Sequence, residues 1–204
     1  MTTIIFDLET GGLELHHPII QIAAVAVSEF GKTTDEFQRK IQFREQDADA
    51  RALEINHYDP AVWAKDAKPL ETVLREFARF LEPHKYLQCV SKAGKPYNVA
   101  RLASYNATFD APRLQKAYRD SGVFMPADPR VLCILQLAMW NEWPGIERLP
   151  SYKLADVAGR CGISTEGAHD ALADCRMAAQ VMVRLLEFAD IEREQRALPV
   201  GGGA

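Results

Sequence analysis

Ile4-Ile5-Phe6-Asp7-Leu8-Glu9-Thr10-Gly11-Gly12 is the stretch from which the architecture is read. Three consecutive apolar residues predict a buried strand, and the strand runs into two acids one residue apart. Side chains alternate across a strand, so Asp7 and Glu9 point to the same face. Two neighbouring carboxylates with little water around them raise each other's pKa unless a cation lies between them. Gly11-Gly12 lets backbone come close to something bulky. Two readings follow from this stretch: a metal site at a strand end beside a pocket, or an exposed strand terminus with two solvated acids.

Working outward, Ile19 to Val27 hardly alternates and predicts a strand buried on both faces. Phe30-Gly31-Lys32 is a turn, and residues 33–43 alternate like a third strand, so strands two and three form an antiparallel hairpin. Residues 45–58 are helix-like, and Lys68-Pro69 opens a firmer helix in which Leu70, Val73, Leu74, Phe77 and Leu81 repeat with a 3.6 period. Tyr86 to Val90 is a strand and Lys92 to Pro96 a turn. Tyr97 to Tyr105 is either that strand's partner or the next core strand. A helix starts at Asn106 to Pro112 and ends at Ser121-Gly122, with Asp110 read as its cap. Val131 to Trp140 begins as strand and turns helical. Residues 143–150 form a loop, Ser151 to Cys161 a helix closed by Gly162, and Asp170 to about Ala189 a long last helix. The expected fold is α/β: a mixed five-stranded sheet with strand two antiparallel to its neighbours and helices on both faces.

The 204 residues suit one domain, read as 1–192 with 193–204 as a disordered tail. Any polymerase or replisome partner is then expected to bind its surface rather than be fused to it. No apolar run reaches the roughly 20 residues needed to span a bilayer, and Met-Thr-Thr-Ile is not a secretory leader, so a cytoplasmic protein away from membranes is expected. The four scattered cysteines, without a CxxC pair, read as reduced thiols. Net charge is −4, but it is unevenly spread. Residues 85–119 hold seven bases against one acid, Asp110, which reads as a phosphate-tracking belt around a metal ligand or as an ordinary solvated face.

Asp110 follows a strand and so falls at the carboxyl edge of the sheet, where ligands of open α/β folds gather. Asp174 lies on the apolar stripe formed with Met177, Ala178 and Val181, an expensive position for a lone acid. His169 is five residues earlier, a rotation of about 140° on a helix, so it belongs to the entry loop. Four carboxylates and a mobile histidine are what a two-metal phosphodiester hydrolase needs. Two divalent ions about 4 Å apart clamp the attacking and leaving oxygens while the imidazole deprotonates water. Hard oxygen ligands point to Mg2+ or Mn2+.

The chain resembles the DEDD exonuclease superfamily, of ribonuclease H-like fold, and within it the proofreading-type DEDDh branch. Asp7-x-Glu9-Thr10-Gly11 is similar to its first motif, Asn106-x-x-Phe109-Asp110 to its second, and His169-x4-Asp174 to its third. Lys153 to Ile163 resembles the helix that precedes the third motif. The resemblance implies 3′→5′ removal of nucleoside monophosphates from single-stranded ends, with DNA favoured over RNA. It implies Asp7, Glu9, Asp110 and Asp174 as ligands of two cations and His169 as general base. Thr10, Gly11, Leu13, Asn56, Asn106 and Phe109 would meet the terminal nucleotide, Leu13 and Phe109 serving equally as packing residues. The alternatives are a 3′→5′ exoribonuclease working on RNA ends or short oligoribonucleotides, and an inactive nucleic-acid-binding module. The basic turn Lys92-Ala-Gly-Lys95 is expected to guide the strand or grip flanking duplex.

Overall fold

In the computed structural model, residues 1–141, 149, 151–166 and 170–197 are described, with backbone alone at 141 and 188–197. The opening stretch forms β1 (Thr2–Thr10), at the centre of a five-stranded sheet ordered β3-β2-β1-β6-β7. β2 (Ile19–Ser28) pairs antiparallel with β1 on one side and with β3 (Thr33–Lys40) on the other. β6 (Arg101–Ser104) and β7 (Leu132–Cys133) continue the sheet in parallel with β1. The mixed sheet with an antiparallel second strand is therefore the fold that the apolar pattern predicts.

Alternation along β1 divides the core. Ile4, Phe6 and Leu8 face a layer built on α3 (Leu70–Leu81) and α4 (Ala107–Ser121). Ile5 faces the opposite layer, of α5 (Ile134–Asn141), α6 (Leu154–Arg160) and α7 (Ala171–Ala197). β2 is buried on both faces because both layers use it, and Ala23 and Ala178, both buried, keep the surface between sheet and α7 low. Each large side chain buried here, such as Phe6 or Phe77, contributes about 2 kcal/mol by area removed from water.

Local chemistry explains where the elements depart from the sequence reading. Residues 45–58 are not one helix: a 3-10 turn at Glu45–Asp47 precedes α1 (Ala50–Ile55), and His57 at φ 49° turns the chain. A separate α2 (Pro60–Asp66) follows, because the Asp59 carboxylate accepts from the N–H of Ala61 and Val62 while Pro60 sits in its first turn. Residues 96–105 play both roles left open: β5 (Pro96–Val99) pairs with β4 (Leu87–Val90), and β6 enters the main sheet. The last helix continues to Ala197, past the point where its apolar stripe ends. The loop read at 143–150 lies outside the described residues except for Leu149. Among the described residues, no helix is long and apolar enough to cross a membrane, and all four cysteines are free thiols.

Part of the basic belt is neutralised or buried. Lys85 pairs with Glu82, Lys116 and Arg119 with Asp120, and Arg113 is buried. Lys92 and Lys95 cap the β4–β5 ribbon, which joins the sheet just before Arg101, the partner of Thr3. Thr3 is four residues from Asp7 and six from Glu9 on β1, so the ribbon leaves from the far end of the strand, about 13 Å from the first acid and about 20 Å from the second.

Candidate active site

Asp7 and Glu9 pair across β1 and β2 with Ala23 and Gln21, on the face that carries Ile5, and so point at α7. An irregular step between Glu9 and Thr10 ends the regular pairing where the chain turns into the Gly11–Gly12 loop. On α7, Asp174 stands one turn beyond the helix start. That turn is fixed from β3: Gln38 donates to the Asp170 carboxylate at 3.1 Å, and Arg176 donates to Glu36 at 2.7 Å. Asp170 also caps the helix by accepting from the N–H of Leu172 and Ala173, both at 3.1 Å. The result brings oxygen atoms of Asp7, Glu9 and Asp174 within 4.8 Å of one another.

Asp110 approaches from the other side, near enough to act electrostatically on Asp7 and Glu9 but outside the set of oxygens within 4.8 Å of one another. It is not the cap of α4 but the fourth residue of that helix; Asn106 is the N-cap, and its side chain makes no capping bond. β6 pairs with β1 only as far as Ile5, which frees the later β1 edge toward the start of α4. The buried Asp110 carboxylate accepts the Ser104 hydroxyl and the Leu8 N–H there.

The electrostatics are those of buried acids crowded together, with Arg113 offsetting them at Asp110. Burial is the first cause in each case. It lifts Asp7 well above the usual carboxylate range, helped by Asp110, Glu9 and Asp174. Glu9 rises to about 7 through burial, then Asp174, Asp110 and Asp170. Asp110 rises only to about 6, because Ser104, the Leu8 N–H and the Arg113 charge favour its ionised form. A divalent cation would relieve all of these at once, and carboxylate oxygens on converging elements are the donor set that Mg2+ or Mn2+ takes.

The remaining predicted residues surround this cluster. The buried Thr10 donates its hydroxyl to the Gly12 carbonyl at 2.8 Å, and its own carbonyl accepts from Asn56 at 2.9 Å. Gly11 is required by close approach, since a Cβ there would lie 2.7 Å from that of Ala48. Leu13 is 80% exposed, whereas Phe109 is half-buried. Asn106 is exposed and accepts from Thr108 at 2.7 Å. Asn106 and Asp174 line a cleft of about 600 Å³ with Tyr105, Tyr152 and Met177. Asn56 and Asp170 line another of about 560 Å³ with Gln21, Gln38 and Lys40. His169 lies outside the described residues.

Three contributors escaped the sequence reading. Asp170 carries a recognisable signal, an Asp immediately before an apolar helical pattern. Ser104 carries none, because its role depends on where β6 ends. Arg113 was visible only as one charge among seven.

A mixed sheet whose central strand delivers acids to a helix beyond it defines the class of ribonuclease H-like domains. The solved exonuclease I of Methylocaldum szegediense superposes with a TM-score of 0.72 at 19% identity, over 96% of this chain and 41% of that one. By sequence, the chain is 28% identical over 191 residues to the PolC-type DNA polymerase III of Lactococcus lactis, covering 91% of this chain but only 10% of that protein. It is 26% identical over 187 residues to the DNA polymerase III subunit epsilon of Aquifex aeolicus, covering 91% and 81% respectively. The chain thus spans about a tenth of the PolC-type relatives it matches. The model of the 3′-5′ exoribonuclease Rv2179c-like domain matches residues 2–186, and the chain belongs to that family.

Proposed function

We propose that the protein is a metal-dependent exonuclease that shortens single-stranded nucleic acid from the 3′ end, RNA before DNA, releasing nucleoside monophosphates. The observation that carries this reading is the convergence of Asp7, Glu9 and Asp174, from two segments over 160 residues apart, to within 4.8 Å of one another. Asp7, Glu9, Asp110 and Asp174 would hold two divalent cations, Mg2+ or Mn2+. When bound, these supply positive charge to the attacking and leaving oxygens of the displacement.

The chain's own groups do the rest. Ser104 and the Leu8 N–H keep Asp110 the more acidic neighbour of the β1 pair. His169, immediately before the Asp170 cap, takes the proton from the attacking water. Thr10, Gly11, Leu13, Asn56, Asn106 and Phe109 orient the terminal nucleotide, Leu13 offering an apolar side chain to its base.

The family description favours RNA ends, in contrast to the preference for DNA expected from the resemblance to the proofreading-type branch. DNA is the second reading, supported by relatives that are DNA polymerase III proteins, and a polymerase partner belongs to that reading. The test is incubation of RNA and DNA strands labelled at either end, with Mg2+, Mn2+ or EDTA. Shortening from the 3′ end only with metal, faster on RNA, is the expected result. Metal-independent cleavage, or internal cuts, would contradict the proposal.

A further inference from the structure

We propose that Arg113 is a positioning residue that sets the grip on the terminal nucleotide by holding the Leu13 loop and Phe109 in fixed relation. The proposal rests on the reading that those two elements receive the nucleotide. Arg113 belongs to α4, one turn beyond Phe109 and Asp110. Its residue is 8% exposed, unusual for an arginine, whose long side chain ordinarily keeps its charge in water; here the charge lies near Asp110 and Glu14.

The guanidinium makes three attachments. One nitrogen donates to the Phe109 carbonyl at 2.7 Å, and the other terminal nitrogen donates to the Leu13 carbonyl, one hundred residues away in sequence. The plane also lies 3.6 Å from the centroid of the Phe109 ring. The third nitrogen, Nε, is buried with no partner among the described residues. A buried N–H without a partner carries an uncompensated desolvation cost. That cost is expected where a side chain is held by something other than its own best hydrogen bonding.

The attachments divide the labour at the pocket. Leu13 has its carbonyl held while its side chain stands 80% exposed. Phe109 is braced by the guanidinium at its ring and its own carbonyl. The loop is also held to its neighbours through Gly11, Gly12 and Glu14, and Arg113 adds the tie from Leu13 to α4. Arg113 ties this loop to the helix that carries Asp110, so pocket and carboxylates are registered by one side chain. A lysine keeps the charge near Asp110 but lacks the planar fork and cannot bind both carbonyls while stacking on the ring.

The test measures binding of adenosine 5′-monophosphate with Mn2+, which needs no turnover, alongside Mn2+ binding alone and the KM and kcat for a short RNA. Arg113→Lys should weaken the nucleotide about tenfold and raise KM to match, because a misplaced contact surface loses affinity. Mn2+ affinity and kcat should stay within about twofold, as these are set by the carboxylates. Leu13→Ala should weaken the nucleotide in the parent protein but add little in the Arg113→Lys background. Additive effects, an unchanged nucleotide affinity, or a parallel loss of Mn2+ affinity pointing to action through Asp110 would each overturn the proposal. Should Arg113→Lys not fold, Arg113→Gln takes its place in the same cycle. A parent protein that binds the nucleotide and obeys the cycle but does not shorten strands would refute the exonuclease reading and leave this one standing.

Discussion

Replacing Glu9 by glutamine should make the cation-free protein more stable while removing its response to divalent ions. The Glu9 carboxyl is pushed from 4.5 to about 7, first by burial and then by Asp174, Asp110 and Asp170. Each pH unit of that gap is worth roughly 1.4 kcal/mol, so ionising Glu9 costs the folded state up to about 3 kcal/mol near pH 8. Glu9 is half-buried rather than sealed, and solvent screening brings the figure to about 1–2 kcal/mol. The sign follows from proton counting. The folded chain holds this proton to higher pH than the unfolded chain, so the contribution to stability is full below about 4.5 and is lost as pH rises through about 7. Glutamine keeps the shape and removes the charge. In EDTA at pH 8 the variant should therefore melt roughly 3–6 °C above the parent, with the difference shrinking toward pH 5. Added Mn2+ should raise the parent's melting temperature strongly and the variant's little. Melting curves across pH 5–8.5, with and without Mn2+, measure all of this. A variant equal to or below the parent at pH 8 in EDTA would refute the claim that these carboxylates strain the cation-free fold.

Other outcomes follow from the same geometry. Asp7→Ala should abolish metal-dependent shortening of 3′ ends and weaken Mn2+ binding in titration calorimetry. Ser104→Ala removes a donor that favours ionised Asp110, so that carboxyl should rise above about 6, and the pH midpoint of Mn2+ binding should move up. Asp170→Ala should cost about 1 kcal/mol in a denaturant melt through loss of the α7 cap, whereas Asp170→Asn, which keeps the cap and drops a charge, should not. Reversing Lys92 and Lys95 to Glu should leave the KM for a trinucleotide unchanged, because the β4–β5 ribbon departs from the far end of β1.

The sheet was legible because its signals are local. Ile4 to Glu9 declares a buried strand with acids on one face, and Ile19 to Val27 lacks the alternation of a half-exposed strand. Of the candidate site, Asp7, Glu9 and Asp174 could be named from spacing and from the anomaly of an acid on an apolar stripe. What escaped depends on contacts between segments. Asp110 was named from its place after a strand, but as a cap; only the early end of β6 reveals that it lies inside the helix and accepts from Ser104 and Leu8. The basic stretch at 85–119 looked continuous because its neutralising acids, Glu82 and Asp120, lie just outside the window. Arg113 is a charge in sequence and a staple in space, since Leu13 and Phe109 are neighbours only after folding.

The account depends on acids from β1, α4 and α7 jointly holding hard cations. A crystal soaked in MnCl2 and measured at the manganese absorption edge tests that most directly. Two anomalous peaks bonded to oxygens of Asp7, Glu9, Asp110 and Asp174 are predicted. Crystals with ordered manganese elsewhere, or none against these carboxylates at millimolar concentration and pH 8, would contradict it.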